Sequence, residues 1–278
     1  MAEVTVQQIK ELRDRTGVGM GACKKALVEA GGDLEQAIVA LRKAGMASAA
    51  KKESRATNEG LISFGEGPDH VALVEVNAET DFVVKNDRFQ EFAKAVADEV
   101  AKTNPSSLED FLTQTIAKDG GVTVEEYRHS IIQTIGENIQ IRRILTIPKG
   151  DSKSVGVYSH MGGKIVVAVE LDGSTGAENL AKDVAMHVAA ASPEYVNPES
   201  VPGEILEKEK EIIKSQIQGK PENIIDKIVE GKVNSFYKDH CLTEQLFVKD
   251  DKKSVSEVVS AENKDLKVSK FTRWSVGE

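Results

Sequence analysis

Three short apolar stripes at helical spacing open the chain: Val6, Ile9 and Leu12, then Met20, Cys23 and Leu27, then Leu34, Ile38 and Leu41. "TVQQ" gives the first helix a capping box, with Thr5 capping the first turn and Gln8 reaching back. "TGVGMG" breaks it, "GGD" ends the second, and "DLEQ" caps the third. Three helices before Ala44 predict a minimal bundle, too small to be stable without packing elsewhere. Residues 45–59, "GMASAAKKESRATNE", lose the periodicity and read as a linker, in part helical. Alternation then takes over. "GLISFGEG" and "HVALVEVNA" predict two strands joined by "GPD" turn chemistry. Helices are expected at about 87–101, 106–117 and 123–138, the last two opened by the boxes "SSLE" and "TVEE". "IQIRRILTIP" reads as another strand.

The pattern then returns. "GVYSHMGGKIVVAVEL" from Gly156 repeats "GLISFGEGPDHVALVEV" from Gly60: a hairpin, an apolar second strand and a Glu at its end. "LAKDVAMHVAAASP" from Leu180 matches "FAKAVADEVAKTNP" from Phe92 at Ala93, Lys94, Val96, Ala97, Val100, Ala101 and Pro105. This is an internal duplication of a strand–strand–helix unit. The difference between the copies is informative. From Glu75 to Ala93 the first copy spends 18 residues; from Glu170 to Ala181 the second spends 11. The excess is the "ETDFVVKNDRFQ" region. The second copy closes without it, so function explains it better than scaffold.

Two further stripes follow, one of Ile205, Leu206, Ile212, Ile213 and Ile217, the other of Ile224, Ile225, Ile228, Val229, Val233 and Phe236. With "GKP" (Gly219 to Pro221) between them they predict an antiparallel helical hairpin, an arm at about 204–238. "SVSE" caps a last helix near 254–263, and "LKVSKFTRWSV" reads as a closing strand.

A net charge of -9 argues against non-specific nucleic-acid binding and fits a protein that meets another protein. No apolar run reaches membrane-spanning length, and "MAEVTVQQIK" lacks the apolar core of a signal peptide. The expectation is a cytoplasmic protein with neither a membrane nor direct nucleic acid as partner. Cys23 and Cys241 match no metal spacing and read as free, buried thiols.

No catalytic constellation stands out. His70, His129, His160, His187 and His240 are scattered, and no Gly-x-Ser-x-Gly elbow occurs. "GVGMGACKK" lacks phosphate-loop spacing and follows a helix, so it reads as a helix–helix turn. Glu79 and Asp81 would serve a carboxylate hydrolase as an acid/base pair, but the sequence offers few polar partners for such a pocket, and exposed carboxylates in a turn are usually only solvated. His187 reads as a satisfied packing residue, and His160 as a hairpin histidine weighed against a partner contact. Phe82 stands between two readings. It folds back into the core with Val83 and Phe89, or it is presented from a polar turn as an interface anchor. Glu79, Thr80, Asp81, Lys85 and Asn86 around it favour the second.

"LRDRTGVGMGACKKAL" and "EVNAETDFVVKN" resemble the two signature stretches of the elongation factor Ts family. The likeness continues through "IGENIQIRR", "AMHVAA", the "GKP" turn and "LTEQLFVKDDKKSV", and covers essentially the whole chain. It implies an α+β protein with a ubiquitin-associated-like three-helix bundle and linker (1–54), a duplicated core of two subdomains (55–150 and 151–278), and an antiparallel coiled-coil arm in the second. It implies a guanine-nucleotide exchange factor whose partner is elongation factor Tu, GDP-bound or nucleotide-free, with no cofactor, no metal and no catalytic residue of its own. Thr80, Asp81, Phe82 and Val83 would be the wedge that disturbs the partner's Mg²⁺ and phosphate site. Arg13, Met20 and Lys24 would touch the partner from the bundle, and His160 from the second copy. Three features depart from the family pattern. Gly21 stands where a bulky or acidic residue is more frequent. Val84 replaces a small residue, which predicts a bulkier tip. After "RWSVGE" no C-terminal extension of the kind some members carry is expected. The alternative is a non-catalytic adaptor or chaperone subunit, since similar small bundles occur there; it gives no reason for an insertion in one copy only.

Overall fold

The computed structural model describes residues 4–117, 121–217 and 221–278. The chain divides into two compact units: one runs to Pro148 and takes in Ser275–Glu278, and the other is Lys149–Trp274.

The first unit begins with α1 (Val6–Thr16), α2 (Met20–Glu29) and α3 (Leu34–Lys52). Leu12, Cys23, Leu27 and Ala37 are fully buried among them. The Thr5–Gln8 capping box forms, and Asp33 accepts from the Gln36 amide at 3.0 Å. "TGVGMG" is the helix–helix turn: Gly17 ends α1 with φ 68°, a left-handed conformation that a Cβ would strain. Of residues 45–59, expected as a linker in part helical, 45–52 continue α3 and 53–58 connect it to the next strand. Gly45 and Ala49 are buried; a Cβ on Gly45 would meet the side chain of Gln133, and Ala49 belongs to the main core. Small residues four apart allow close helix packing, and an interface of Gly and Ala leaves no apolar periodicity to read.

Strands β1 (Glu59–Glu66) and β2 (His70–Ala78) pair antiparallel, with Ile62 opposite Glu75. The one-turn helix α4 (Asp81–Val84) and the long α5 (Asp87–Thr103) follow. Next come α6 (Leu108–Thr113), the short pair β3 (Thr115–Ile116) and β4 (Val122–Thr123), α7 (Val124–Ile135) and β5 (Ile139–Pro148), which adds to the free edge of β2. The helix expected over 106–117 stops at Thr113 because Thr115 and Ile116 pair with Thr123 and Val122. Its cap is Ser107, whose hydroxyl accepts from the Asp110 amide; Ser106, the expected cap, bonds the Asp110 carboxylate. The Thr123–Glu126 box forms as expected. Phe89, Phe92 and Val96 on α5 fill the core between sheet and helices.

The second unit repeats the scheme with β6 (Lys153–His160), β7 (Ile165–Asp172) and α8 (Glu178–Ala191). In both copies the helix lies so close to the first strand that only glycine fits. A Cβ at Gly65 would press into the Ala97 carbonyl, and one at Gly156 into the backbone of Ala181 and Lys182. Both helices also end on a left-handed residue followed by proline, Asn104 (φ 45°) and Ser192 (φ 48°).

Helices α9 (Gly203–Gln216) and α10 (Glu222–His240) pack on each other through Ile213, Val229 and Val233. Ile205 and Ile212 of the expected stripe face outward. Of the expected "GKP" stop, Gly219 and Lys220 lie outside the described residues. Strands β8 (Leu246–Phe247) and β9 (Asp250–Ser254) then lead into α11 (Val255–Glu262), with its Ser254–Glu257 box, and β10 (Lys267–Ser275) completes a sheet of order β10-β7-β6. Among the described residues no helix is long and apolar enough to cross a membrane.

Candidate functional site

Between β2 and α5 the chain makes one helical turn and restarts. Thr80 caps α4, its hydroxyl accepting from the Val83 amide at 3.4 Å. Asn86 caps α5, its side chain accepting from the Arg88 amide at 3.0 Å. Two caps six residues apart leave a single turn, and that turn sorts its side chains by direction. Val83 and Val84 point inward and are 8% and 7% exposed, in the same core cluster as Phe89. Phe82 points outward and is 80% exposed. The bulk of Val84 is therefore spent in the core, and the expected bulkier tip does not arise. Val83, expected in the wedge, supports the turn from beneath. Asp81 lies beside Phe82 and receives Lys85 Nζ at 2.8 Å. The hydrogen bond from Lys85 and the carboxylate's charge push the lysine above its ordinary pKa.

Three residues outside the loop, Glu137, Asn138 and Arg55, fix the turn, none of them singled out by the sequence. Glu137 accepts the Thr80 N–H at 3.0 Å and the Thr80 hydroxyl at 2.8 Å. Glu79 accepts the Asn138 N–H at 2.6 Å and Arg55 Nη1 at 3.4 Å. Asn138 is fully buried and donates its side-chain amide to the carbonyls of Arg55 and Glu53, at 2.9 and 3.3 Å. "IGEN" carried the only signal: Gly136 ends α7 with φ 92°, which turns Glu137 and Asn138 toward the loop. Glu79 is thus a structural carboxylate, engaged by Asn138 and Arg55, while Asp81 is engaged by Lys85.

The bundle residues belong to the same unit. Arg13, Lys24 and Met20 are exposed, Met20 to 40%. Arg88, which follows the tip, donates to the Gly17 carbonyl at 3.0 Å. That bond ties the "TGVGMG" turn to the start of α5, two residues beyond the second signature stretch. Also in this unit, a cavity of about 510 Å³ opens between α1, α3 and α7, bordered by Arg15, Glu35, Met46 and His129. Beside it, burial pushes the Glu125 carboxyl up, but hydrogen bonds from His129 and Arg128 outweigh this and hold it at about 2.

In the other unit His160 is exposed at the end of β6, its Nδ1 3.2 Å from the Tyr158 hydroxyl, and Met161 beside it is 72% exposed. His187 is the satisfied packing residue expected. It is 3% exposed, its Nδ1 accepts from the Val248 amide at 3.1 Å, and its Nε2 lies 3.0 Å from Gln245 Oε1. Cys23 and Cys241 are free and buried. Among the described residues no group of three or more His, Cys, Asp or Glu could hold a metal. Taken together, the exposed features suit contact with a macromolecule: an aromatic on a clamped turn, and a separate hairpin tip with His and Met.

A family model described as "Elongation factor TS" matches residues 79–278. Proteins named elongation factor Ts are similar over the full length. That of Protochlamydia amoebophila (strain UWE25) is 58% identical over 282 residues, covering 100% of both chains. That of Chlamydia caviae is 44% identical over 281 residues with the same coverage. That of Trichlorobacter lovleyi is 46% identical over 290 residues, covering 99% of this chain and 93% of that protein.

Proposed function

The chain belongs to the elongation factor Ts family, and from that premise we propose that it binds elongation factor Tu and speeds GDP release during translation elongation, with Asp81 and Phe82 as the working tip. The observation that carries the assignment of the tip is Phe82: a large aromatic, 80% exposed, on a turn held from below and from the side. Aromatic side chains are enriched in the buried centres of protein interfaces.

A GTPase holds its nucleotide through Mg²⁺ and a cradle of backbone N–H groups. Phe82 enters an apolar slot between partner helices, and Asp81 competes for hydrogen bonds near the metal. Neither needs to touch the nucleotide. A factor that binds the empty partner more tightly than the loaded one must weaken nucleotide binding by the same factor. No bond is made or broken, so the protein catalyses exchange without being an enzyme in the chemical sense. Arg13, Met20 and Lys24 supply further contact from α1 and α2, which act as a ubiquitin-associated-like bundle with α3. His160 supplies contact from the second unit, and α9 and α10 form a coiled-coil arm. The exposure of all four of these side chains supports those roles. Domain limits of 1–54, 55–150 and 151–278 belong to the same reading.

The test is release of labelled GDP from elongation factor Tu. Sub-stoichiometric protein is expected to accelerate it, with no GTP hydrolysis by the protein alone. An unchanged release rate at saturating protein would sink the proposal.

A further inference from the structure

We propose that Glu137 is a positioning residue for exchange, its carboxylate setting the pitch of the turn that carries Phe82. The inference rests on the exchange reading above. A single helical turn cannot hold itself, because nucleation fixes several dihedrals for one hydrogen bond. Helix α4 has four residues. It needs outside anchors, among them Val83 and Val84 in the core, Gln90 Nε2 donating to the Val84 carbonyl at 3.3 Å, and Glu137 at its N-terminus.

Both oxygens of Glu137 go to one residue. Oε2 takes the Thr80 N–H and Oε1 takes the Thr80 hydroxyl hydrogen. With that hydrogen committed, a lone pair of Thr80 Oγ1 is left for the Val83 amide. The carboxylate thereby orients the cap, and the cap orients the turn. Glu137 is itself held. Gly136 on one side is left-handed, and Asn138 on the other is buried with its N–H on Glu79. The exchange is reciprocal: Glu79 reaches the backbone of Asn138 while Glu137 reaches the backbone of Thr80. Two adjacent residues on each side clamp one another, so the backbone leading to Phe82 is fixed before any partner arrives. Pre-ordering of this kind lowers the cost of docking in one geometry. Removing the carboxylate leaves the apolar anchors in place, so the turn stays attached but loses its pitch. Contacts elsewhere on the protein still dock. The loss should therefore fall on the step in which the tip distorts the partner, more than on affinity.

The experiment compares wild type, Glu137→Gln and Glu137→Ala in GDP release from elongation factor Tu, over a range of protein concentrations. Glu137→Ala is expected to lower the maximal release rate about tenfold while shifting the half-saturating concentration by less than about twofold. Glu137→Gln should fall between, because its amide oxygen can still take one of the two bonds. If the alanine variant does not fold, the isosteric glutamine variant carries the comparison. A second readout needs no partner: hydrogen exchange of the Val83 and Val84 amides should be faster by about tenfold in Glu137→Ala. Maximal rates equal to wild type in the folded variants, or unchanged amide exchange, would overturn the proposal. If wild type itself fails to accelerate release, the exchange reading falls, and the amide readout alone decides the positioning claim.

Discussion

Phe82 and Val83 are chain neighbours with opposite surroundings, 80% and 8% exposed. Val83→Ala should cost about 2 kcal/mol, because it opens space in the packed core cluster that also holds Val84 and Phe89. Phe82→Ala should change stability by no more than about 0.5 kcal/mol, because it removes an exposed side chain. Urea unfolding of the two single variants checks the pair; a costly Phe82→Ala would mean that the aromatic packs inward. The outward Phe82 was legible from the polar residues on either side of it. The inward Val83 and Val84 were not, since one turn is too short to display a period. Glu137 was illegible for another reason: it lies 57 residues from Thr80, and no local pattern reports so distant a hydrogen bond.

At the scale of elements, caps and duplications were read well because each rests on local chemistry. Thr5, Asp33, Thr123 and Ser254 all cap the helices expected of them. The repeated strand–strand–helix order appears in both units, down to the left-handed residue that ends each helix. The continuation of α3 was read only as a linker in part helical, because its buried face is made of Gly45 and Ala49, which carry no hydrophobic signal. One element contact has a pH signature. Burial lowers the pKa of His187 from 6.5, against the raising effect of its bond to Gln245. Gln245 in turn donates to the Asp239 carbonyl at 2.7 Å, so the histidine joins α8 to the end of α10. As pH falls the unfolded chain takes up this proton before the folded one does. The contribution is present above 6.5 and is lost as pH drops below it. His187→Gln should therefore flatten the fall in melting temperature between about pH 7 and pH 5. An identical slope in the variant would mean that His187 is not the group responsible.

At the scale of the whole molecule, the inference from sequence rested on comparing the two copies. The second copy lacks the insertion and still folds as β6, β7 and α8, which marks the insertion as an addition. The addition is only half free of the scaffold: Val83, Val84 and Phe89 are part of the first unit's core, while Asp81 and Phe82 are carried on its surface. An exposed tip on a core-filling base is held from below. It is also separable by mutation, which allows the central claim to be tested without dismantling the fold.

The most direct measurement is stopped-flow release of labelled GDP from elongation factor Tu at saturating Asp81→Ala/Phe82→Ala, paired with a melting curve of the variant. The account predicts a melting temperature close to wild type, retained binding, and a release rate lower by at least about tenfold. A release rate equal to wild type, or a large drop in melting temperature, would contradict it.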